Sequence, residues 1–129
     1  MNEKGTSAIE LVLVLPILLS ILFGIIEYGW VMKTQIELNN AVSEGARAVI
    51  KEEDAENPSY VAMAAMYEVL GPGMQIFFNI RTHTTVTTDA DPSRAEVAIT
   101  GWPYEPLTGF FPSSMLPSTL SAKAVMAFP

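Results

Sequence analysis

Residues 11–26 carry no charge at all, and across residues 9–26 the only ionisable side chain is Glu10. A helix needs about 20 mainly apolar residues to cross about 30 Å of hydrocarbon, and Ala8, Ile9 and residues 28–32 lengthen the run past that limit. The segment is therefore expected to be one membrane-spanning helix near the N-terminus. A secretory signal peptide would carry a shorter apolar core followed by a small-residue cleavage site, and Ser20 and Gly24 do not compose one. Ahead of the run stand only Met1-Asn2-Glu3-Lys4-Gly5, too short to fold, with Lys4 and the amino terminus favouring the cytoplasmic side.

A chain of 129 residues leaves room for one small domain behind such a helix. That remainder is about 70 residues, near the lower limit for a self-sufficient core, so packing against the chain's own helix is expected. The net charge of -7 with only seven Lys and Arg excludes a nucleic-acid binder, which needs clustered cations. The absence of cysteine excludes disulfides, thiolate metal sites and thiol catalysis.

Loose helical spacing of Met32, Ile36, Ala41, Ala46, Val49 and Ile50 carries the helix on to about residue 53 as a stem. The acidic run at 52–56 and Pro58 end it and read as a solvated linker; without a glycine-turned alternation they are a poor calcium loop. Ser59 is the expected N-cap of a second helix over 60–70, closed by Gly71-Pro72-Gly73, with Met63 and Met66 packing inward. From Gln75 the period becomes two, which predicts a strand through Val86 and Thr87, a turn at 89–93, and a second strand over 94–102 with Ala95, Val97 and Ile99 on one face. Prolines 103, 106, 112 and 117 make 102–118 a surface loop, and Leu120, Ala122, Ala124, Met126 and Phe128 alternate as a closing strand. Trp102, Tyr104, Phe110 and Phe111 in the loop would either form a contact patch or fold back over a small core. The fold class is α+β: a long membrane and stem helix, a short second helix, and a small antiparallel sheet of about three strands.

No nucleotide loop, catalytic carboxylate pair or nucleophile motif is present, and His83 is the only histidine. The chain is not expected to be an enzyme and calls for no cofactor or metal. Pro16 removes a hydrogen bond from the helix interior and crowds the Val12 carbonyl, so a kink is expected there. Glu27 lies about 25 Å along the helix from Glu10, which puts the two near opposite membrane faces. Beside Tyr28 and Trp30, whose rings suit the headgroup zone, Glu27 reads as an interfacial residue or as an inter-subunit contact.

Gly5-Thr6-Ser7-Ala8-Ile9-Glu10 ahead of an unbroken apolar run resembles the processing site of type IV pilins and pseudopilins. Glu10-Leu11-Val12-Leu13-Val14-Leu15-Pro16, then Phe23-Gly24-Ile25-Ile26-Glu27-Tyr28-Gly29, Asn39-Asn40-Ala41 and Ser43-Glu44-Gly45-Ala46-Arg47, is similar to the TadE-like pilins of the tight-adherence (type IVc) pilus. The resemblance covers mainly the first 50 or so positions. It implies a leader at 1–5 cut by a prepilin peptidase after Gly5, a mature start at Thr6, a transmembrane and stem helix at 6–53, and an exported domain at 58–129 with a type IV pilin-like fold. It further implies that Glu10 pairs with the new Thr6 amino group of a neighbouring subunit, so that other copies or related pilins are partners through the N-terminal helix; from the residues alone, Glu10 near the cytoplasmic end of the helix could instead suit the helix N-terminus and reach the headgroups with no partner. The subunit would begin in the inner membrane with a cytoplasmic N-terminus and end in an extracellular adhesive filament. The alternative from the residues alone is an unprocessed single-pass scaffold or a component of a secretion or assembly machine, and a weaker one is a hydrolase or metal-binding domain on an anchor.

Overall fold

The computed structural model describes residues 3–52, 56–71, 84–88 and 94–127. Met1, Asn2, most of the acidic linker, Pro72 and Gly73, the first half of the expected strand with His83, the turn at 89–93 and Phe128 lie outside the described residues.

Helix α1, Glu3–Lys51, is 49 residues long, or about 73 Å at 1.5 Å per residue. It begins before Gly5, so the described end of the leader continues the helix instead of standing apart as a segment too short to fold. Local hydrogen bonding explains this, since a few residues joining an existing helix need no nucleus of their own. The helix runs on through Pro16, and the Ser20 hydroxyl donates to the Pro16 carbonyl at 2.8 Å.

The two halves of α1 differ in what touches them. From Ile9 to Leu22 the large apolar side chains are exposed. In the second half, Leu38, Ala41, Val42, Ala46 and Val49 form a buried stripe, spaced by three, one, four and three residues, which is one face of a helix.

Helix α2, Pro58–Val69, packs on that stripe through Ala62 and Met66. Its N-cap is Asn57 and not Ser59: the Asn57 side chain accepts from the Tyr60 N–H at 3.2 Å. Pro58 explains the shift, because proline fits the first helical position, where its missing N–H is not needed. The two helices approach closely at Gly45, where a Cβ would stand 2.7 Å from Met66 Cγ and 3.2 Å from the Ala62 carbonyl oxygen.

Strands β1, Thr84–Thr88, β2, Arg94–Pro103, and β3, Thr119–Ala127, form an antiparallel sheet in the order β1-β2-β3. Ala95, Val97 and Ile99 of β2 and Leu120 and Ala122 of β3 turn one face onto the helices, while Ser121, Lys123 and Val125 face outward. Lys123 pairs with Glu96 across the outer face at 2.7 Å. The fold is thus α+β, with a long apolar N-terminal helix and a small three-stranded antiparallel sheet.

The β2–β3 ladder contains one irregularity. Ile99 pairs with Ala122 and Trp102 with Leu120, so Thr100 and Gly101 face Ser121 alone. Gly101 adopts φ +68, and its N–H reaches the Ser121 hydroxyl at 3.4 Å. This is a β-bulge with glycine in the left-handed region, where a side chain would clash. The extra residue slips the alternation by one position. Trp102 and Tyr104 therefore join Ala95, Val97 and Ile99 on the inner face, although simple alternation from Ile99 would have turned them out.

Candidate functional site

The slipped alternation determines where Tyr104 goes. Leaving β2, the chain stays tied to the start of β3 for one more step, with the Tyr104 N–H bonded to the Ser118 carbonyl at 3.1 Å. The Tyr104 ring points at α1, and its hydroxyl donates to Glu27 Oε1 at 2.6 Å. The loop then doubles over the same carboxylate. The Leu107 N–H donates to Oε1 at 2.9 Å, and the Thr108 N–H and hydroxyl donate to Oε2 at 2.9 and 2.6 Å. Gly109, at φ +63, turns the loop immediately afterwards. Consecutive N–H groups aimed at one anion form a backbone nest, here with two hydroxyls added.

Glu27 is 0 % exposed, and four donors of its own chain bond its carboxylate. Burying a carboxylate is costly unless it is hydrogen-bonded, and four donors shared two to each oxygen meet that requirement. Burial pushes the Tyr104 hydroxyl well above the ordinary tyrosine range, and donation to Glu27 and the field of its carboxylate push it the same way. At the C-terminal end of the apolar segment, therefore, α1 and the proline-rich loop are latched together.

Two aromatic contacts extend the latch down the helix. The Phe110 ring lies 5.1 Å from that of Phe23, Phe111 meets Phe110 edge-on at 5.5 Å, and a Cβ on Gly24 would stand 3.4 Å from Phe111. Of the four loop aromatics, Trp102 and Tyr104 cover the core, Phe111 is half-buried, and Phe110 remains 53 % exposed.

The other residues singled out in the sequence are distributed along α1. Tyr28 is exposed, while Trp30 is half-buried against the core with the Lys33 ammonium 4.8 Å from its ring centre. The sequence reads Glu27 as an interfacial residue or an inter-subunit contact; what it does not show is that the carboxylate turns inward onto the loop, where donors 77 to 81 residues away converge. Gly5, Thr6 and Glu10 lie on the uncovered part of the helix, and among the described residues no cation pairs with Glu10. Sequence reasoning did not link Tyr104, Leu107 and Thr108 to Glu27. The available signals were a glycine inside the β2 pattern and a lone carboxylate among apolar residues. Among the described residues no group of His, Asp or Glu could hold a metal ion, and the chain has no cysteine.

One helix among the described residues is long and apolar enough to cross a membrane, and none of its most apolar 18-residue window is buried inside the molecule. No curated protein and no solved structure matches the chain. A family described as TadE-like protein matches residues 5–47, which takes in Gly5, Glu10, Pro16, Glu27 and the Gly45 crossing. Over this N-terminal region the chain belongs to the TadE-like family.

Proposed function

We propose that the chain is a non-catalytic, pilin-like subunit, made as an inner-membrane precursor with a cytoplasmic N-terminus, cut after Gly5 by a prepilin peptidase, and packed through α1 into an extracellular adhesive filament. On this reading residues 1–5 are the leader, 6–53 the transmembrane and stem helix, and 58–129 the exported domain. The observation that carries the proposal is the uncovered state of residues 9–22 together with a Glu10 that pairs with no cation among the described residues, in a segment matched by the TadE-like family. A carboxylate in the apolar zone costs about 2.5 to 3.5 kcal/mol on insertion scales, so it favours any arrangement that brings it a cation. Cleavage after Gly5 creates one cation per subunit, at Thr6. Moving the helix from lipid into a bundle gains little hydrophobic energy, so close packing and the pair of Glu10 with a neighbour's Thr6 amino group would set the axial register. Pro16 would supply a pliable point in the part of α1 that changes surroundings.

Intact mass of native material tests the processing step. A start at Thr6 supports it, whereas Met1 retained in assembled filaments overturns it; Met1 retained without filaments assigns the chain to the unprocessed scaffold reading. Glu10→Ala should insert into the membrane normally and assemble poorly, and normal filament yield from that variant would remove Glu10 from its role.

A further inference from the structure

We propose that the tip of the proline-rich loop, around Leu107, Phe110 and Phe111, is a membrane-embedded foot that sits in the outer interfacial layer of the bilayer while the subunit is anchored. The inference rests on the reading of α1 as a membrane span and goes beyond it. Crossing about 30 Å takes about 20 helical residues, so a span that starts at Ile9 ends at Tyr28. Even a span that starts as early as Thr6 ends at Ile25. In both cases Phe23 and Gly24 lie inside the apolar layer, and they are the residues that Phe110 and Phe111 touch. Because the Phe110 ring centre is 5.1 Å from that of Phe23, the two cannot differ in depth by more than that distance.

The exposed apolar side chains of the tip, Leu107 and Phe110, are held to α1 at Glu27 and Phe23, beside which Ile26 and the helix below are exposed as well. Irregular backbone is tolerated near lipid only where its polar groups are satisfied. Here Pro106 and Pro112 have no N–H, those of Leu107 and Thr108 are bonded to Glu27, and that of Phe110 to the Thr108 hydroxyl at 3.4 Å. The Glu27 latch thus also removes backbone donors that would otherwise hold the tip in water. The occupant of this surface is the lipid interface itself, where aromatic rings are favoured.

The chain has no cysteine, so single substitutions can carry a nitroxide label. We would place the full-length chain in phosphatidylethanolamine–phosphatidylglycerol nanodiscs with labels at Phe110→Cys, Leu107→Cys, Val14→Cys on the bare helix, and Val125→Cys on the outer sheet face, and measure collision with lipid-soluble O2 and water-soluble NiEDDA. The proposal expects an O2-to-NiEDDA ratio above unity at 14, 107 and 110 and below unity at 125. A ratio below unity at both 107 and 110, with 14 still above it, overturns the foot and leaves the span standing. A label at 110 shielded from both reagents overturns it in favour of a contact between copies. If 14 also reports water, the span itself fails and the foot with it. Should Phe110→Cys disturb the Phe23 contact, Leu107→Cys, which lies outside that ring pair, decides the outcome.

Discussion

Replacing Glu27 by glutamine changes one atom and tests the latch donor by donor. Each carboxylate oxygen accepts one backbone N–H and one hydroxyl: Oε1 from Leu107 and Tyr104, Oε2 from Thr108 twice. A glutamine side chain offers one oxygen and one NH2 group. The Tyr104 and Thr108 hydroxyls can rotate to accept from the NH2, but a backbone N–H cannot. Whichever way the amide turns, either Leu107 or Thr108 loses its acceptor. A hydrogen bond to a charged group contributes about 1.5 to 3 kcal/mol, so Glu27→Gln should weaken the latch by about 2 kcal/mol. Glu27→Ala strips the acceptor from all four donors, and since a buried donor left unpaired costs about 1 to 3 kcal/mol, the loss should reach about 3 to 5 kcal/mol.

Amide hydrogen exchange of the full chain in micelles, resolved by residue, reads this directly, since local opening sets the rate. At about 1.4 kcal/mol per factor of ten, Glu27→Gln should speed exchange roughly 30-fold at one of the two amides, Leu107 or Thr108, while the other changes little. Glu27→Ala should speed both by roughly a hundredfold or more. Core amides such as that of Val97 should be unaffected in either variant if the loop opens alone. Wild-type protection at both loop amides in Glu27→Ala would refute the latch. Equal acceleration of both in Glu27→Gln would refute the pairwise division between the two oxygens.

Gly45→Val should destabilise the packing of α1 on α2 by about 1 to 3 kcal/mol, because the new Cβ meets Met66 and the Ala62 carbonyl; thermal unfolding followed by near-UV circular dichroism checks this, and Met66→Ala in the same chain should recover part of the loss. The raised Tyr104 value means that the folded state holds that proton more tightly than the unfolded chain, so the stability from this bond is full below the ordinary tyrosine value near 10.0 and is lost as pH rises from there. The 295 nm absorbance step assigned to Tyr104 by difference from Tyr104→Phe should accordingly fall above the ordinary tyrosine range, and a step at 10 would refute it.

Periodicity made most of the fold legible. A run of apolar residues without charge defined the first half of α1, and strict alternation defined β3 and the first half of β2. These signals are local, and burial follows them. The N-cap of α2 was misplaced by two residues because Ser59 is a good cap in isolation, whereas Asn57-Pro58 supplies both a cap oxygen and a residue suited to the first turn. The latch was not legible for a different reason. Alternation continued from Ile99 would have turned Trp102 and Tyr104 away from the helix, and only the extra residue at Gly101 brings them back. One glycine thus decides whether a tyrosine 77 residues later in the chain can reach Glu27 on α1.

Glu10 and Glu27 are the same side chain on the same apolar helix, and the chain treats them differently. Around Glu27 it folds a loop whose prolines, nest and hydroxyls match one carboxylate, so that charge needs nothing from outside. Around Glu10 the described side chains are the exposed Thr6 and Ser7 and exposed aliphatic residues, and none of them is a cation. Among the described residues the chain builds a closed site at position 27 and leaves position 10 open. An open carboxylate in an apolar stretch has its lowest free energy where a second molecule brings a cation. If cleavage after Gly5 creates that cation, Thr6 supplies it within the same uncovered turn of helix. The latch then has a complementary part to play: by fixing the domain rigidly on α1 at Glu27, it would pass the register set at Glu10 along the helix to the exported surface.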